Sequence, residues 1–110
     1  MEKQSNINEI RKGLLVLAVL RVISRRKLYV GELLDELSNT EFATQEGTIY
    51  PLLSKMKREG LILHEWVESP NGPPRKYYLL SKSGEQRMDE LLKYLSKLHL
   101  DIKKLGGEKK

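Results

Sequence analysis

The feature that most constrains the fold of this chain is the tetrapeptide Pro70-Asn71-Gly72-Pro73, which separates two segments of β character. Residues 61–69 and 74–80 are rich in β-branched, aromatic and long aliphatic side chains. Asn-Gly between two such segments is a strong signal for the turn of a β-hairpin. The prolines stiffen the tip and hinder pairing of the hairpin edges with other chains. The sequence therefore predicts one hairpin in an otherwise helical chain.

The first of three predicted helices before the hairpin spans about residues 8–26, and its segment from Gly13 to Ile23 is apolar on nearly every side. A helix that is hydrophobic all round is buried all round. One core in so small a domain cannot cover this surface, so we expect Leu14 and Leu17 to meet a second subunit. The alternative is a central helix that is wrapped by its own chain. A second, shorter helix is predicted over residues 28–38.

The third helix is predicted over residues 44–60, with Thr44 as its N-cap. Its apolar residues recur at helical spacing and should pack inward. Its hydroxyl and cationic residues, such as Ser54 and Lys55, then point outward, which suits a phosphate-lined DNA groove. Pro51 removes a helix hydrogen bond, so the helix either begins near Thr48 or bends at the proline. We interpret this segment as a DNA-recognition helix.

A last helix should follow the hairpin, capped by Ser81 or by Ser83, which with Gln86 would form a capping box. Its apolar residues are separated by alternating steps of three and four, a heptad seam that is typical of contact with another helix. They are Met88, Leu91, Leu95, Leu98, Ile102 and Leu105. Three helices, a hairpin and a terminal helix predict a mainly α fold: a winged helix-turn-helix over residues 1–82 and a dimerisation helix with tail over residues 83–110.

The composition limits the chemistry that the chain can perform and the partners that its charge favours. The 110 residues carry a net charge of +5 and no cysteine, which excludes disulfides and thiolate chemistry. Residues 1–40, 41–82 and 83–110 have net charges of +2, +1 and +2 (seven cations against five acids, six against five, and seven against five). A nucleic-acid surface must therefore depend on where the cations point.

No catalytic or metal site is suggested by the sequence. The two histidines, His64 and His99, are far apart, whereas a metal site needs three or four convergent ligands. The sequence offers no nucleophile–base pair and no phosphate-binding glycine loop. The longest apolar run, residues 13–20, is too short to span a bilayer. We expect a cytoplasmic protein that is not an enzyme and has no cofactor, metal or membrane partner.

Several motifs resemble the PadR family of transcriptional regulators, along roughly residues 10–105. They are Gly47-Thr48-Ile49-Tyr50-Pro51-Leu52-Leu53, Glu59-Gly60-Leu61-Ile62, Trp66, Arg75-Lys76-Tyr77-Tyr78-Leu79-Leu80 and Gly84. The single short C-terminal helix is similar to that of the smaller PadR subfamily. The resemblance implies a homodimeric repressor whose last helix packs against the first helix of the partner subunit, and it places Tyr50-Pro51 within the recognition helix.

The resemblance and the pattern together predict which residues touch DNA and which join the subunits. We expect DNA contacts from Thr44, Gln45, Thr48, Tyr50, Pro51, Ser54, Lys55, Arg75, Lys76 and Tyr77. We expect dimer contacts from Leu14, Leu17 and the six residues of the heptad seam. Trp66 is expected to pack at the base of the hairpin. Of Tyr77 and Tyr78, which alternate in direction, one should lie in the core.

The predicted function is sequence-specific regulation of transcription by a homodimer on a pseudo-palindromic operator. A small-molecule effector at the dimer interface is a further expectation, since some small PadR proteins bind flat aromatic compounds there through a tryptophan on the last helix. This chain has Tyr94 on its last helix and its only tryptophan, Trp66, in the hairpin. The alternative, favoured by the nearly neutral segments, is a winged-helix module that binds protein instead of DNA.

Overall fold

A computed structural model describes residues 2–107, with side chains from residue 5 onward; Met1 and residues 108–110, which belong to the predicted N-terminal unit and C-terminal tail, lie outside this range. Four helices and one antiparallel hairpin follow one another along the chain. They are α1 (Glu2–Arg25), α2 (Val30–Ser38), α3 (Glu46–Arg58), β1 (Ile62–Ser69), β2 (Gly72–Leu80) and α4 (Lys82–Leu105). The predicted fold class, a winged helix-turn-helix with an added C-terminal helix, is confirmed.

The core lies between α1, α2, α3 and the hairpin. Its most deeply buried side chains are no more than 2% exposed, and every one of these elements supplies some of them. They include Val19, Leu20, Ile23, Leu28, Leu33, Leu37, Ile49, Leu53, Met56 and Ile62. Of the α1 residues expected to meet a partner, Leu17 is only 6% exposed within the single chain, while Leu14 is half-buried. The apolar middle of α1 is thus covered largely by its own chain.

Helix α2 is shorter than predicted because Leu28 pairs with the hairpin. The backbone nitrogen of Leu28 donates to the Tyr78 carbonyl at 3.1 Å, and the Tyr78 nitrogen donates back to the Leu28 carbonyl at 2.8 Å. Tyr29 then caps α2, and its backbone nitrogen donates to the Glu32 carboxylate at 3.3 Å. Leu28 therefore acts as a short third strand beside β2, which fixes the hairpin to the start of α2.

The N-cap of helix α3 is Gln45, one residue later than the predicted Thr44. The helix runs without interruption through Pro51, its sixth residue, so a start near Thr48 is wrong. The position within the helix that the family resemblance implied is confirmed. The helix ends at Arg58 with Glu59 as its C-cap, and the next residue, Gly60, has a φ of 78°, in the left-handed region that glycine tolerates. The Leu61 nitrogen closes this end by donating to the Met56 carbonyl at 3.0 Å.

The hairpin turn consists of Pro70-Asn71, and Ser69 pairs with Gly72 across it, so the turn lies one residue before the predicted Asn-Gly. Gly72, Pro73 and Pro74 already belong to β2. The strands pair from Ile62 with Leu80 to Val67 with Arg75, with a register irregularity between Val67 and Ser69 near the tip.

The start of α4 is attached to the end of α3. Ser81, not Ser83, is the N-cap, and its Oγ accepts from the Gly84 nitrogen at 2.9 Å. The same hydroxyl donates to the Gly60 carbonyl at 2.6 Å, and the Ser81 nitrogen donates to the Leu61 carbonyl at 3.1 Å. A capping box at Ser83 is therefore excluded, because the helix has already begun there. This joint connects the start of α4 to the end of α3 through the Ser81 hydroxyl and backbone atoms.

Candidate DNA-binding surface

Helix α3 has one buried face and one free face. Ile49, Leu53 and Met56 are at most 1% exposed and hold the helix against the core. Residues of the opposite side are exposed, and every residue of α3 that was predicted for DNA contact is among them. The predicted residues are Thr48, Tyr50, Pro51, Ser54 and Lys55. Gln45, just before the helix, is also exposed, whereas Thr44 is half-buried. The free face presents short polar groups and cations along a helix thin enough for the major groove.

The hairpin, which we call the wing, carries two distinct faces. Residues paired across the strands share a face, and successive residues alternate between faces. His64 pairs with Tyr78 and Trp66 with Lys76, so these four side chains lie on the face that begins in the core at Ile62. The other face carries Glu65 with Tyr77 and Val67 with Arg75.

The second face of the wing is held against the start of α2. The Arg75 guanidinium lies 4.4 Å from the centre of the Tyr29 ring, and the Tyr77 ring meets Tyr29 edge-on at 5.5 Å. Lys27 and Glu65 form an ion pair beside them. A cation over an aromatic face is attracted by the ring electrons, so Arg75 is oriented while its side chain stays exposed. Tyr77 is half-buried in this cluster and thus less accessible than predicted for a DNA contact.

A cleft of about 530 Å³ separates the wing from α3 and the start of α2. Its walls are mainly aromatic and cationic, with one acid, Glu46. They consist of Tyr29, Val30, Gly31, Glu46, Tyr50, Trp66, Arg75, Lys76 and Tyr78. Tyr50 is 47% and Trp66 63% exposed. The expectation that Trp66 packs at the base of the hairpin is wrong, because it stands on the free part of the wing with the Lys76 Nζ 5.7 Å from its ring centre.

The cations of α3 and the wing form no ion pair with an acid of residues 5–107. Within residues 5–107 the acids that form ion pairs bind cations of other regions: Arg11, Arg26, Lys27, Arg87 and Lys97. The cations of α3 and β2 have no such partner in this part of the chain. They are Lys55, Lys57, Arg58, Arg75 and Lys76. An anion that docks here meets positive charge that is not already paired.

Two titratable groups on the first face of the wing are shifted. Burial, together with the nearby cations Lys57 and Lys76, lowers the pKa of His64 below its ordinary value of 6.5. Burial, together with Tyr50, raises the pKa of the Tyr78 hydroxyl above its ordinary value of 10.0. Tyr78 is 5% exposed and is the tyrosine that enters the core, as the alternation at 77–78 predicted for one of the pair.

Sequence reasoning missed three residues of this surface. The sequence patterns did not single out Lys57, gave His64 no role, and predicted that Trp66 packs at the base of the hairpin. The strand register places residues 64 and 66 on the side of the wing that faces α3, so it could have indicated His64 and Trp66. Helix periodicity alone could not have indicated that Lys57 contacts the wing, because this contact depends on the angle between the wing and α3.

The residues predicted for dimer contact divide into two groups. Met88 and Leu91 are partly buried against the core of their own chain. The rest of the heptad seam is progressively more exposed toward the C-terminus: Leu95 38%, Leu98 39%, Ile102 67% and Leu105 86%. On α1, the free large apolar side chains are Ile7 and Ile10, at 53% and 62% exposure. The molecule is elongated, with extents of 64 × 34 × 22 Å.

Within the described residues, no helix has the length and apolar character needed to cross a membrane. Residues 2–107 also contain no group of three or more histidines or carboxylates placed to hold a metal ion.

Comparison with known proteins identifies the family. Residues 19–90 match the Transcriptional regulator PadR-like family. The structure is similar to a PadR-like transcriptional regulator from Bacillus cereus, with 31% identity, 92% of this chain and 99% of that chain covered, and a TM-score of 0.80. It is also similar to a PadR family transcriptional regulator from Eggerthella lenta, with 28% identity, coverages of 96% and 93%, and a TM-score of 0.84.

An uncharacterized protein of Lysinibacillus sphaericus is 28% identical over 89 residues, which are 78% of this chain and 82% of that protein. The family and its solved structures are transcriptional regulators and not enzymes. The family match covers more than half of the chain and agrees with the winged helix and with the motifs around Tyr50-Pro51 and Arg75-Lys76. The protein therefore belongs to the PadR-like family of DNA-binding transcriptional regulators.

Proposed function

We propose that the protein is a homodimeric transcriptional repressor that binds a pseudo-palindromic operator. In this proposal residues 1–82 form the DNA-binding unit, and residues 83–110 provide the dimerisation helix and tail. Each α3 reads one half-site in the major groove, and each wing contacts the backbone beside it. The observation that carries the proposal is that the free face of α3 and the wing border one cleft whose cations have no acidic partner within residues 5–107.

The roles at the DNA follow from chemistry and position. Thr48, Ser54 and Lys55 lie on the free face of α3 and are suited to base edges and phosphates. Arg75 and Lys76 on the wing neutralise phosphates, and the contact of Arg75 with Tyr29 orients its guanidinium before DNA arrives. Gln45, Tyr50 and Pro51 border the same face, whereas Thr44 and Tyr77 contribute by supporting their neighbours.

Dimerisation is supported by the apolar surface that the single chain leaves exposed. Leu95, Leu98, Ile102 and Leu105 continue the heptad seam beyond the core of their own chain. We propose that they pack on the partner, with Ile7 and Ile10 of α1 as further contacts. Burying a large aliphatic side chain contributes about 1.5–3 kcal/mol, so a few such residues from each subunit suffice for a stable pair. Leu17 acts inside its own subunit.

An effector site at the dimer interface is also part of the proposal. The exposed half of α4 borders an open groove lined by Leu95, Ser96, His99 and Leu100, and Tyr94 nearby is 57% exposed. A small molecule bound between two such helices would change the spacing or tilt of the two DNA-binding units, and with it the affinity for the operator. The location proposed for such a regulator is the cytoplasm, where the DNA lies.

Selection of bound sequences from a random duplex pool tests the proposal. A repressor of this kind should enrich two inverted half-sites, and its affinity for the selected duplex should fall steeply as salt rises, since phosphate contacts release counterions. Enrichment of a single half-site would contradict the dimeric arrangement. Absence of binding at low salt would contradict DNA binding and favour a winged-helix module that binds protein. Repression itself is tested with a reporter gene placed behind the selected operator.

A further inference from the structure

Lys57, His64 and Lys76 form a cluster at the junction of α3 and the wing, which we call the phosphate cluster. The Nζ of Lys57, in the last turn of α3, lies 3.5 Å from the Nε2 of His64 on β1. Lys76 belongs to the same face of the wing as His64, and its Nζ lies 5.7 Å from the centres of both the Trp66 and the Tyr78 rings. No acid within residues 5–107 forms an ion pair with either lysine.

Among residues 5–107, cations and aromatic rings surround His64, and the one acid of the adjoining cleft, Glu46, forms no ion pair. From α3 the imidazole faces Lys57, and from β2 it faces Lys76 and its cross-strand partner Tyr78, whose ring centre is 6.4 Å away. Trp66, on its own strand, meets it edge-on at 6.3 Å. The neighbouring carboxylate Glu65 points to the opposite face and pairs with Lys27. Both neighbouring cations therefore oppose protonation of the imidazole.

The hydrogen bonding of His64 is incomplete in the free protein. Its Nδ1 is shielded from solvent and has no hydrogen-bond partner, while its Nε2 lies within reach of the Lys57 ammonium. A neutral imidazole can accept from Lys57 through Nε2, but a protonated one cannot, because both of its nitrogens then donate. Burial and the two lysines accordingly lower the pKa of His64 in the free protein.

We propose that the phosphate cluster holds one phosphodiester of the DNA backbone, and that His64 takes up a proton when the phosphate binds. This inference rests on the DNA binding proposed above. A phosphate between the two lysines accepts hydrogen bonds from their ammonium groups and adds negative charge beside the imidazole. His64 then changes from an acceptor for Lys57 into a second donor, with Nε2–H directed at a phosphate oxygen. The proton comes from solvent, so the charge balances.

The sign of the pH dependence follows from this exchange. The pKa of His64 is low in the free protein and rises in the complex, so DNA binding takes up protons and affinity increases as pH falls through the pKa of the complex. The increase ends once pH is below the pKa of the free protein. Each unit by which the pKa rises gives about a tenfold gain in affinity per subunit. Above both pKa values the affinity should not depend on the charge of His64.

Calorimetric titration of the full chain with the selected duplex, in two buffers of different ionisation enthalpy near neutral pH, measures the proton uptake. We expect a net uptake per subunit in the wild-type protein. His64→Asn should abolish this uptake and flatten the pH dependence of affinity. The control is Lys93→Gln, an exposed residue of α4 outside the proposed effector groove, which should retain both. Lys57→Gln should weaken binding and reduce the uptake, since one of the charges that oppose protonation in the free protein is gone.

A nuclear magnetic resonance titration of the His64 imidazole in the wild-type protein provides a result that does not depend on any variant. The pKa should be below 6.5 without DNA and higher in the complex. A pKa that is unchanged or lower in the complex would overturn the inference, as would uptake that persists in His64→Asn. Binding without proton uptake would overturn this inference alone. Absence of binding at low salt would overturn the proposed function together with it.

Discussion

The carbonyl oxygen of Leu61 occupies the space that a side chain on residue 84 would need: a Cβ atom on Gly84 would lie 2.1 Å from it. This approach lets the first turn of α4 sit on the end of α3, where Ser81 also binds the Gly60 carbonyl. Gly84→Ala should therefore lower the free energy of unfolding by about 2 kcal/mol or more, because backbone must move. Thermal or urea unfolding measures the change.

Gly47→Ala is the matched control for this substitution. Gly47 lies in the first turn of α3, is exposed, and has nothing within 4 Å of the position of a Cβ atom. The substitution should leave the free energy of unfolding unchanged or raise it by less than about 1 kcal/mol, since alanine loses less backbone entropy in a helix than glycine does. Equal stability of the Gly84→Ala protein and the wild type would show that the joint can open without loss.

Lys55→Ala and Arg75→Ala should each weaken binding to the selected duplex by roughly tenfold and reduce the slope of log affinity against log salt by about one per subunit. Both cations are exposed, and neither has an acidic partner within residues 5–107. Fluorescence anisotropy across a salt series measures both effects. Lys93→Ala, an exposed cation on α4, is the control and should leave the slope nearly unchanged. Unchanged binding by both variants would remove these residues from the proposed surface.

Leu98→Glu should dissociate the dimer. The side chain lies on the heptad seam and is 39% exposed in the single chain, so a carboxylate there does not disturb the core but would be buried against the partner. Sedimentation velocity measures the change in mass. Lys93→Glu is the control, because Lys93 is exposed on α4 and lies off both the seam and the proposed effector groove. A Leu98→Glu protein that still sediments as a dimer would place the interface elsewhere.

Stability should fall at high pH because of Tyr78. Its pKa is raised in the folded protein above the ordinary value of 10.0, so the folded state favours the neutral hydroxyl more than the unfolded state does. The stabilising contribution is complete below pH 10.0 and decreases as pH rises through the pKa of the folded protein. Urea unfolding at several alkaline pH values measures this loss. Tyr78→Phe should show a smaller loss, and an identical loss would assign the effect to other groups.

Trp66 should report DNA binding directly. It is the only tryptophan of the chain and is 63% exposed on the wing beside the cleft. Docking of a phosphate backbone there should change its emission and protect it from quenching by iodide. Trp66→Phe, which keeps an aromatic ring, should lose the signal while retaining most of the affinity. An emission unaffected by saturating duplex would mean that the wing does not approach the DNA.

Much of the proposed DNA-binding surface could be predicted from the sequence because it follows local periodicity. In α3 the spacing of Ile49, Leu53 and Met56 fixes which side is buried, and the exposed positions of Ser54 and Lys55 follow from it. The ends of the helices were predicted less well. Leu28 leaves α2 to pair with Tyr78, since a partner distant in the sequence competes with the local helix preference. Gln45 replaces Thr44 as the N-cap without a side-chain hydrogen bond, and no contact within residues 5–107 explains this shift.

The heptad seam also shows what sequence periodicity cannot predict. Its period predicts that one side of α4 contacts another element, but the period is the same whether that element belongs to the same chain or to a second one. The tertiary structure divides the seam: Met88 and Leu91 pack on the core of their own chain, while Ile102 and Leu105 remain exposed. The apolar middle of α1 is likewise covered mostly from within, with Leu17 buried.

The sequence by itself determined the order of helices and hairpin, the buried side of α3 and the family, because each depends on residues close together in the chain. Only the tertiary structure decided which side chains surround His64, how Arg75 is held by Tyr29, and why residue 84 must be glycine. These contacts join residues from different elements. They depend on the angle and distance at which the wing, α3 and α4 meet. The packing of the whole core sets that angle and distance, and no local sequence pattern encodes them.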